Sequence, residues 1–352
     1  MRDVAVERAF IVEEGPSVPA REAVEAARAA GHVPDVVLGG RLIGEGPLDE
    51  LDPVEVTGEQ LTQLCDRRRL PRWVAAKNPL SSGFVQTKAL MRSSELVTVC
   101  EEAACPNIGK CWSRGTATFM IAGSRCTRGC RFCNVMTARP IGPPDPDEPR
   151  RVAEAAAGMG LRFVVVTAVA RDDLPDGGAA HFASTIHALR ERLPDCKVEV
   201  LIPDLRGSWG SLEAIVEAAP DVLNHNTETV PRLYSRVRPG ARYERTLELL
   251  ARSAAAGLTT KSGIMVGLGE TLGEIGRVLS DLAGVGCGPV TVGQYLRPSA
   301  AHLPVARYYA PAEYPALAEL GRGLGLAHVE AGPLVRSSFE ADRVAEAALT
   351  PA

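Results

Sequence analysis

Six of the nine cysteines in this sequence form two groups of three. The second group, Cys126, Cys130 and Cys133, has the spacing C-x3-C-x2-C and directly follows the apolar segment TATFMIAG. Three closely spaced thiolates on one loop can bind three irons of a cubane cluster and leave the fourth iron open to a small bidentate ligand. Structural zinc is the alternative, but zinc sites usually take four ligands, and no fourth lies nearby in the sequence.

The first group has the spacing C-x4-C-x5-C and consists of Cys100, Cys105 and Cys111 in the segment VCEEAACPNIGKCW. By the same chemistry these thiolates can bind three irons of a second cluster, whose fourth ligand must then come from elsewhere in the chain. Buried free cysteines normally occur singly among apolar neighbours, whereas these are flanked by Glu, Pro, Asn and Lys. We therefore interpret them as metal ligands and not as small core residues.

The elements that position these two groups follow a regular alternation. Short apolar, β-branched segments alternate with longer helical patterns, which is typical of βαβ units and a parallel sheet. Six or seven such units without a reversal of direction favour an α/β fold with a full or partial (β/α) barrel. Catalytic groups of barrels lie at the carboxyl ends of strands, where the second cysteine group falls. The predicted strands are TATFMIAG, FVVVTAVA, KVEVLIP, DVLNHN, TTKSGIMVG, PVTVGQYL and AHVEAG.

Composition excludes several classes of function. The formal net charge of −4 and the aromatic content of 5% argue against a nucleic-acid-binding or anionic-membrane-binding protein. No apolar stretch approaches the length of a membrane-spanning helix, and the first residues lack the pattern of a targeting signal. We therefore expect a cytoplasmic protein with reduced cysteines, which favours metal chemistry over disulfides.

The same signals divide the chain into four segments. Residues 1–65 are predicted to be an N-terminal extension, to which the sequence assigns no role. Residues 66–115 hold the first cysteine group, residues 116–335 form the barrel, and residues 336–352 form a C-terminal segment that begins with Arg-Ser-Ser.

Several longer phrases resemble the lipoyl synthase family of the radical S-adenosylmethionine (SAM) superfamily. The similarity covers about residues 70–343, and its second cysteine group is the signature of the superfamily. The preceding C-x4-C-x5-C group makes the resemblance specific to this family. It implies a partial (β/α) barrel of the radical SAM type with N-terminal and C-terminal extensions. The phrases include TVCEEAACPNIGKCW, TATFMIAGSRCTRGCRFCNV, RDDLPDGGAAHFA, NHNTETVPRLY, KSGIMVGLGET, TVGQYLRPS and GPLVRSSFEAD.

The resemblance implies that the first cysteine group binds an auxiliary [4Fe–4S] cluster. In the family its fourth ligand is a serine of an Arg-Ser-Ser-Tyr motif, which here reads Arg336-Ser337-Ser338-Phe339. Carrying over the second serine gives Ser338, although chemistry alone leaves Ser337 equivalent. A hard serine oxygen beside three thiolates makes that corner of the cluster labile. Phenylalanine in place of tyrosine removes one hydroxyl group, whose role we expect to be a hydrogen bond to a neighbouring group.

The second cysteine group is similar to the ligands of the SAM-binding [4Fe–4S] cluster of the family. Asp176, Gly177 and Gly178 resemble the segment that meets the amino group of SAM. Gly267 and Gly269, after the GIMVG strand, offer bare backbone for the adenine or ribose of SAM. The alternative is a plain loop in the first case and a tight turn in the second.

By family resemblance the reaction is insertion of two sulfur atoms at C6 and C8 of an octanoyl chain on a lipoyl carrier domain. That carrier is the E2 subunit of a 2-oxoacid dehydrogenase or the glycine cleavage H protein. A ferredoxin- or flavodoxin-type electron donor and an Fe–S cluster carrier are the other implied partners. Two alternatives stay open on the residues: another two-cluster radical SAM enzyme with a different substrate, and a non-enzymatic Fe–S or zinc protein.

Overall fold

The computed structural model describes residues 71–74, 81–139 and 142–344, together with four short strands nearer the N-terminus. The chain divides into two compact units, Met1–Arg72 with Ala306–Ala310, and Trp73–Val305 with Pro311–Ala352. Apart from those four strands, the predicted N-terminal extension lies outside the described residues, as does the C-terminal segment after residue 344. Within the described ranges, no helix is long and apolar enough to cross a membrane.

The described part of the first unit contains a small four-stranded sheet. Its strands are β1 (Phe10–Val12), β2 (Asp35–Leu38), β3 (Arg41–Ile43) and β4 (Val54–Glu55). The β1 strand pairs parallel to β2, whereas β2 with β3 and β3 with β4 pair antiparallel.

The second unit contains one eight-stranded sheet and a separate pair of short parallel strands. The pair is β7 (Arg125–Cys126) with β8 (Met136–Thr137). The order across the large sheet is β14-β13-β12-β11-β10-β9-β6-β5. These eight strands are β5 (Val97–Thr98), β6 (Thr118–Ile121), β9 (Phe163–Ala168), β10 (Lys197–Leu201), β11 (Val222–Asn224), β12 (Thr259–Val266), β13 (Pro289–Gln294) and β14 (His328–Gly332).

The strand order confirms the prediction of a partial barrel. All seven predicted strands are present, and each pairs in parallel with the next one along the chain. Because every crossover adds its strand on the same side, the sheet is singly wound, as in a barrel, and has no point where the order reverses. Within the described residues the sheet ends at β14 on one side and at β5, which is antiparallel to β6, on the other.

At least one helix lies in the connection between each pair of consecutive parallel strands of the large sheet, as the longer helical patterns of the sequence predict. The start of the helix Leu272–Gly284 is fixed by a reciprocal capping box of Thr271 and Glu274. The helices are α1 (Ser82–Ser93), α2 (Val99–Glu102), α3 (Ile108–Ser113), α4 (Glu148–Gly158), α5 (Ala179–Arg192), α6 (Trp209–Glu217), α7 (Tyr234–Val237), α8 (Tyr243–Ala255), α9 (Leu272–Gly284) and α10 (Glu313–Gly323), with 3-10 turns at Arg72–Val74, Leu205–Gly207 and Pro231–Leu233.

The strands are buried on both faces, but the two faces differ in chemistry. On β10, Val198 and Val200 belong to the main apolar cluster between sheet and helices. Glu199 points to the opposite face, where its carboxylate accepts hydrogen bonds from Lys261 Nζ at 2.9 and 3.0 Å and from Asn224 Nδ2 at 3.0 Å. All three polar side chains are buried, so their mutual pairing satisfies charges that would be costly if left alone.

His225, at the carboxyl end of β11, is buried and hydrogen-bonded through both ring nitrogens. Nδ1 donates to the carbonyl of Ile202 at 2.8 Å, which leaves Nε2 to accept from the Thr246 hydroxyl at 3.2 Å. Burial, followed by the positive charge of Arg238, lowers the pKa of His225 to about 4. The imidazole is therefore neutral and structural at neutral pH.

Two glycines of α10 provide a matched test of how this helix packs on β14. A Cβ at Gly321 would lie 2.7 Å from Val329 Cγ2, whereas a Cβ at Gly323 would meet nothing within 4 Å. We expect Gly321→Ala to lower the free energy of unfolding by about 1–3 kcal/mol through overpacking. Gly323→Ala should leave it unchanged or raise it by up to about 1 kcal/mol. Urea unfolding measures both, and equal effects of the two substitutions would contradict the packing.

The neutral state of His225 predicts a pH dependence of stability. Its pKa is about 4 in the folded protein and about 6.5 in an unfolded chain. Its contribution to the free energy of unfolding is therefore complete above pH 6.5 and falls by about 1.4 kcal/mol per pH unit as the pH decreases toward 4. Urea unfolding of His225→Gln should show a correspondingly shallower pH dependence over this range. The control is His187→Gln, at an exposed histidine, and a slope unchanged by His225→Gln would refute the argument.

Candidate functional site

The first cysteine group lies on two short helices and the turn between them. Cys100 is on α2, Cys111 is on α3, and Cys105 lies in the turn. The Cys105 amide donates to the Cys100 carbonyl at 3.0 Å, and the Cys111 amide donates to the Asn107 carbonyl at 2.9 Å. The Thr98 hydroxyl caps the first helix. These bonds are local in the sequence, so the segment itself sets the positions of the three sulfur atoms.

The three thiols of this group converge in a buried environment. Burial, and then the neighbouring Cys105, raise the pKa of Cys100 to about 11. Burial, and then Cys100 and Cys105, raise the pKa of Cys111 to about 12. Thiols in such surroundings hold their protons until a cation replaces them. Iron in Fe–S clusters is bound by soft thiolate ligands, so three cysteines of this kind suit such a cluster.

Ser338 lies in the same cavity as the first cysteine group. Cys100, Cys105, Cys111 and Ser338 all line an open cavity of about 870 Å³, and Ser337 is not among its lining residues. The structure therefore distinguishes the two serines that were equivalent on sequence chemistry. The assignment of Ser338 as a ligand stays a prediction, to which this placement adds support.

Several contacts hold the C-terminal segment against the first group. Asn107 Nδ2 donates to the Leu334 carbonyl at 2.6 Å. The carboxylate of Glu340 pairs with Lys110 at 2.9 Å and with Arg114 at 3.1 Å. The Lys110 ammonium also lies 4.6 Å from the centroid of the Phe339 ring, the residue that replaces the tyrosine of the family motif.

A close backbone approach fixes the same segment on the sheet. A Cβ at Gly293 on β13 would lie 2.1 Å from the Val335 carbonyl oxygen, so only glycine permits this contact. Arg336, the first residue of the Arg-Ser-Ser motif, follows directly. Its guanidinium is buried, which lowers the pKa of Arg336, while Cys105 opposes this shift.

The second cysteine group lies on the loop that follows β6. Cys126 ends β7, and Cys130 and Cys133 precede β8. The backbone amide of Arg128 donates to Cys126 Sγ at 3.4 Å, a bond that tunes sulfur ligands of Fe–S clusters. Burial, and then Cys130 and Cys126, raise the pKa of Cys133 to about 12. Cys126 and Cys130 therefore lie close enough to Cys133 to act on its charge.

Arg128, which the sequence analysis missed, fastens this loop to the barrel. Its guanidinium donates to both carboxylate oxygens of Asp172, at 2.8 and 2.7 Å, and lies 2.6 Å from Asp204. Burial opposes ionisation of Asp204, but the hydrogen bond and charge of Arg128 bring its pKa down to about 2. The signal in the sequence was an arginine between two ligand cysteines, together with acidic residues after strands β9 and β10.

Glu228 lies near the second cysteine group and near Arg336 of the Arg-Ser-Ser motif. Its backbone φ is +68°, and its carboxylate accepts a hydrogen bond from Asn226 Nδ2 at 3.0 Å. Burial raises the pKa of Glu228, and the nearby charges of Arg238 and Arg336 oppose this. Its charge also contributes to the raised pKa of Cys130 and Cys133.

The predicted SAM-contacting segment after β9 has a defined local structure. Gly177 and Gly178 have φ values of +65° and +92°, which favour glycine. The two carboxylate oxygens of Asp176 accept hydrogen bonds from the amides of Gly178 and Ala180, at 2.9 and 2.8 Å. Asp176 therefore shapes the start of α5, and a role of this segment toward SAM stays a prediction.

The loop after β12 is built in a similar way. Gly267 and Gly269 have φ values of +100° and +103°. Glu270 is buried, and its carboxylate accepts from the amides of Gly267 and Leu268 at 2.6 and 2.8 Å. These bonds explain the turn, and contact of its glycines with the adenine or ribose of SAM also stays a prediction.

Within the described residues, no three His, Cys, Asp or Glu side chains are close enough together to bind one metal ion. A cubane cluster makes a different demand, because each of its irons takes its own thiolate. Two sets of three neighbouring, largely buried cysteines fit that demand, and a serine that could be a fourth donor lines the first cavity.

Two family models match different parts of this chain. Residues 120–282 match the radical SAM superfamily, and residues 42–105 match the N-terminal domain of lipoyl synthase of the radical SAM family. Among solved structures, Streptococcus suis SuiB bound to S-adenosylmethionine aligns with a TM-score of 0.49 and 13% identity over 84% of this chain and 69% of that chain, a similarity too distant to argue from.

Two curated relatives are much more similar. Lipoyl synthase of Nitratidesulfovibrio vulgaris (strain DP4) is 55% identical over 282 residues, which cover 80% of this chain and 94% of that protein. Lipoyl synthase of Chloroflexus aurantiacus (strain J-10-fl) is 50% identical over 296 residues, or 83% of this chain and 96% of that protein. The chain therefore belongs to the lipoyl synthase family of radical SAM enzymes, which act through SAM and a [4Fe–4S] cluster.

Proposed function

We propose that this chain inserts two sulfur atoms, at C6 and C8, into an octanoyl chain on a lysine of a lipoyl carrier domain. The sulfur comes from an auxiliary [4Fe–4S] cluster bound by Cys100, Cys105, Cys111 and Ser338. The observation that carries the proposal is that Ser338 lines the same cavity as these three cysteines. Without an auxiliary cluster beside the SAM cluster, the enzyme would have no sulfur of its own to donate to the substrate.

Cys126, Cys130 and Cys133 would hold the [4Fe–4S] cluster that binds SAM. Together, the cluster and SAM would supply the radical chemistry needed to remove hydrogen from C–H bonds that no side chain could deprotonate. Arg128 holds the second cysteine loop against the strand ends, and the buried Arg238 carries positive charge beside Cys130.

The serine corner suits a cluster that is consumed during the reaction. An alkoxide is a hard ligand beside three soft thiolates, so iron is released most readily there. Arg336 adds a buried positive charge close to Cys105. Residues 66–115 are then the auxiliary-cluster segment, residues 116–335 the radical SAM barrel, and residues 336–352 the segment that supplies the fourth ligand.

The partners follow from this chemistry. The substrate is an octanoylated carrier domain, either the E2 subunit of a 2-oxoacid dehydrogenase or the glycine cleavage H protein. Cleavage of SAM requires one electron from a ferredoxin- or flavodoxin-type donor. A consumed auxiliary cluster requires an Fe–S cluster carrier to rebuild it. We also propose that two loops contact SAM, through Asp176, Gly177 and Gly178 after β9 and through Gly267 and Gly269 after β12.

The test of the function is the intact mass of an octanoylated carrier domain after anaerobic incubation with reconstituted protein, SAM and dithionite. We expect a gain of two sulfurs and a loss of two hydrogens.

Cys130→Ala should abolish release of 5′-deoxyadenosine, because the SAM cluster loses a ligand. Cys105→Ala should retain this release but give no mass increase. The same phenotype in both variants would contradict the division of labour, and an unchanged mass with the unsubstituted protein would refute the function.

Ser338 and Ser337 form a matched pair for testing the fourth ligand. Ser338→Ala should lower sulfur insertion by at least about tenfold, since loss of a donor that supports a metal site costs roughly 10–100-fold. Release of 5′-deoxyadenosine should persist, because the second cysteine group is untouched. Ser337→Ala, at a residue that does not line the cavity, should behave like the unsubstituted protein. If Ser337→Ala were the defective variant instead, the assignment would be wrong.

A further inference from the structure

A second cavity, of about 520 Å³, lies beside the second cysteine group, and of its lining residues only Arg128 has a part in the proposed function. Apart from Gly240 and Ala241, all of its lining residues are charged. We refer to it as the arginine cavity. Its charged lining residues are Arg128, Arg139, Arg206, Arg242, Arg245 and Asp172.

The arginine cavity carries an excess of positive charge. Asp172 and Asp204 pair with Arg128, and Asp204 also pairs with Arg245 at 3.0 Å. The other three arginines are exposed, and none of them forms an ion pair with a carboxylate of the described residues. Five guanidinium groups thus face two carboxylates, in a chain whose formal net charge is −4. Concentrating positive charge in one concave surface creates a local field that attracts anions.

The cavity adjoins the loop that carries the second cysteine group. Arg128 lies between Cys126 and Cys130, and its amide donates to Cys126 Sγ at 3.4 Å. Arg139 Nη2 donates to the carbonyl of Thr127, the residue after Cys126, at 2.9 Å. Its other lining residues include Arg242, which precedes α8, and Arg245 within that helix. A molecule in this cavity is therefore close to the second cysteine group.

The lining determines which ligand fits. An eight-carbon acyl chain needs an apolar path, and the charged walls of this cavity do not provide one. Exposed guanidinium groups favour carboxylates on a partner surface, because they form bidentate hydrogen bonds with them. Of the reactants in the proposed function, the electron is the one that can reach the SAM cluster without entering the active site.

We propose that the arginine cavity is the docking surface for an acidic one-electron donor protein. The inference rests on the proposed function, in which Cys126, Cys130 and Cys133 bind the SAM cluster. In the step itself, one electron passes from the reduced donor to the oxidised cluster. The donor is oxidised by one electron, the cluster is reduced by one, and no bond is made or broken. Arg128 links the docking surface to the cluster loop directly.

The test compares two double substitutions in the reconstituted holoprotein. Arg206→Glu with Arg242→Glu reverses two exposed charges of the arginine cavity and leaves Arg128 and Arg139 in place. Arg277→Glu with Arg322→Glu makes the same charge change at exposed positions of α9 and α10. Stopped-flow absorbance follows cluster reduction by a photoreduced flavodoxin-type protein at low and high salt. Dithionite serves as the small reductant in a parallel assay of 5′-deoxyadenosine and of carrier-domain mass.

We expect the R206E/R242E protein to be reduced by the donor protein at least about tenfold more slowly at low salt, and with little remaining salt dependence, since steering contributes roughly 10–10³-fold. The R277E/R322E protein should keep the rate and salt dependence of the unsubstituted protein. With dithionite, all three proteins should form 5′-deoxyadenosine and modify the carrier domain equally.

Three results would overturn the proposal. The first is an unchanged donor-driven rate in R206E/R242E, and the second is an equal loss in R277E/R322E. The third is a raised KM for the carrier domain in the dithionite assay of R206E/R242E, which would assign the arginine cavity to the substrate protein. Absence of dithionite-driven SAM cleavage in the unsubstituted protein would instead overturn the proposed function, a result distinct from a loss confined to the protein donor.

Discussion

The site depends on one buried arginine and the two aspartates that hold it. The Arg128 side chain is 9% exposed, and Asp204 is 1% exposed. Removing one partner of such a buried group typically costs about 3–5 kcal/mol, because the remaining charge has no solvent to compensate it. The two aspartates follow adjacent parallel strands, so the barrel holds both carboxylates in fixed positions. The loop that carries Cys126, Cys130 and Cys133 is thereby fastened to the rim of the barrel.

The first cysteine group is completed in a different way, by the return of the chain after β14. Gly293 lets the backbone at Val335 approach the sheet, and Asn107 binds the Leu334 carbonyl. Lys110 and Arg114 also pair with Glu340, but both basic side chains are exposed. Each of these ion pairs therefore contributes little to stability. The close backbone contact, which tolerates no side chain, is therefore the stronger constraint on where Ser338 lies.

Charges in the interior of the barrel are arranged in compensating sets. Glu199 and Lys261 pair among fully buried neighbours, and Glu228 lies within range of Arg238 and Arg336. Because these side chains are already held in place, they need little reorganisation when a charged ligand enters. Preorganised sites stabilise reacting charge in this way. The neutral His225 beside them is structural, since both ring nitrogens are occupied by the protein itself.

The sequence by itself determined the features that arise from local spacing. Side-chain periodicity located the seven parallel strands and the helices between them, because strand and helix burial repeat over a few residues. Cysteine spacing located both ligand groups for the same reason, since each lies on one short segment. The likeness to a known family then assigned their chemistry, and the relatives confirmed the family.

Only the tertiary structure decided which distant residues meet. It placed Ser338 but not Ser337 in the cavity of the first cysteine group, brought Arg128 to Asp172 and Asp204, and brought Glu228 near the second cysteine group. It also gathered the arginine cavity from four separate connections of the barrel. These contacts depend on the curvature of the sheet and on the path of the returning chain. No local periodicity encodes either, because they are set by how whole layers pack against one another.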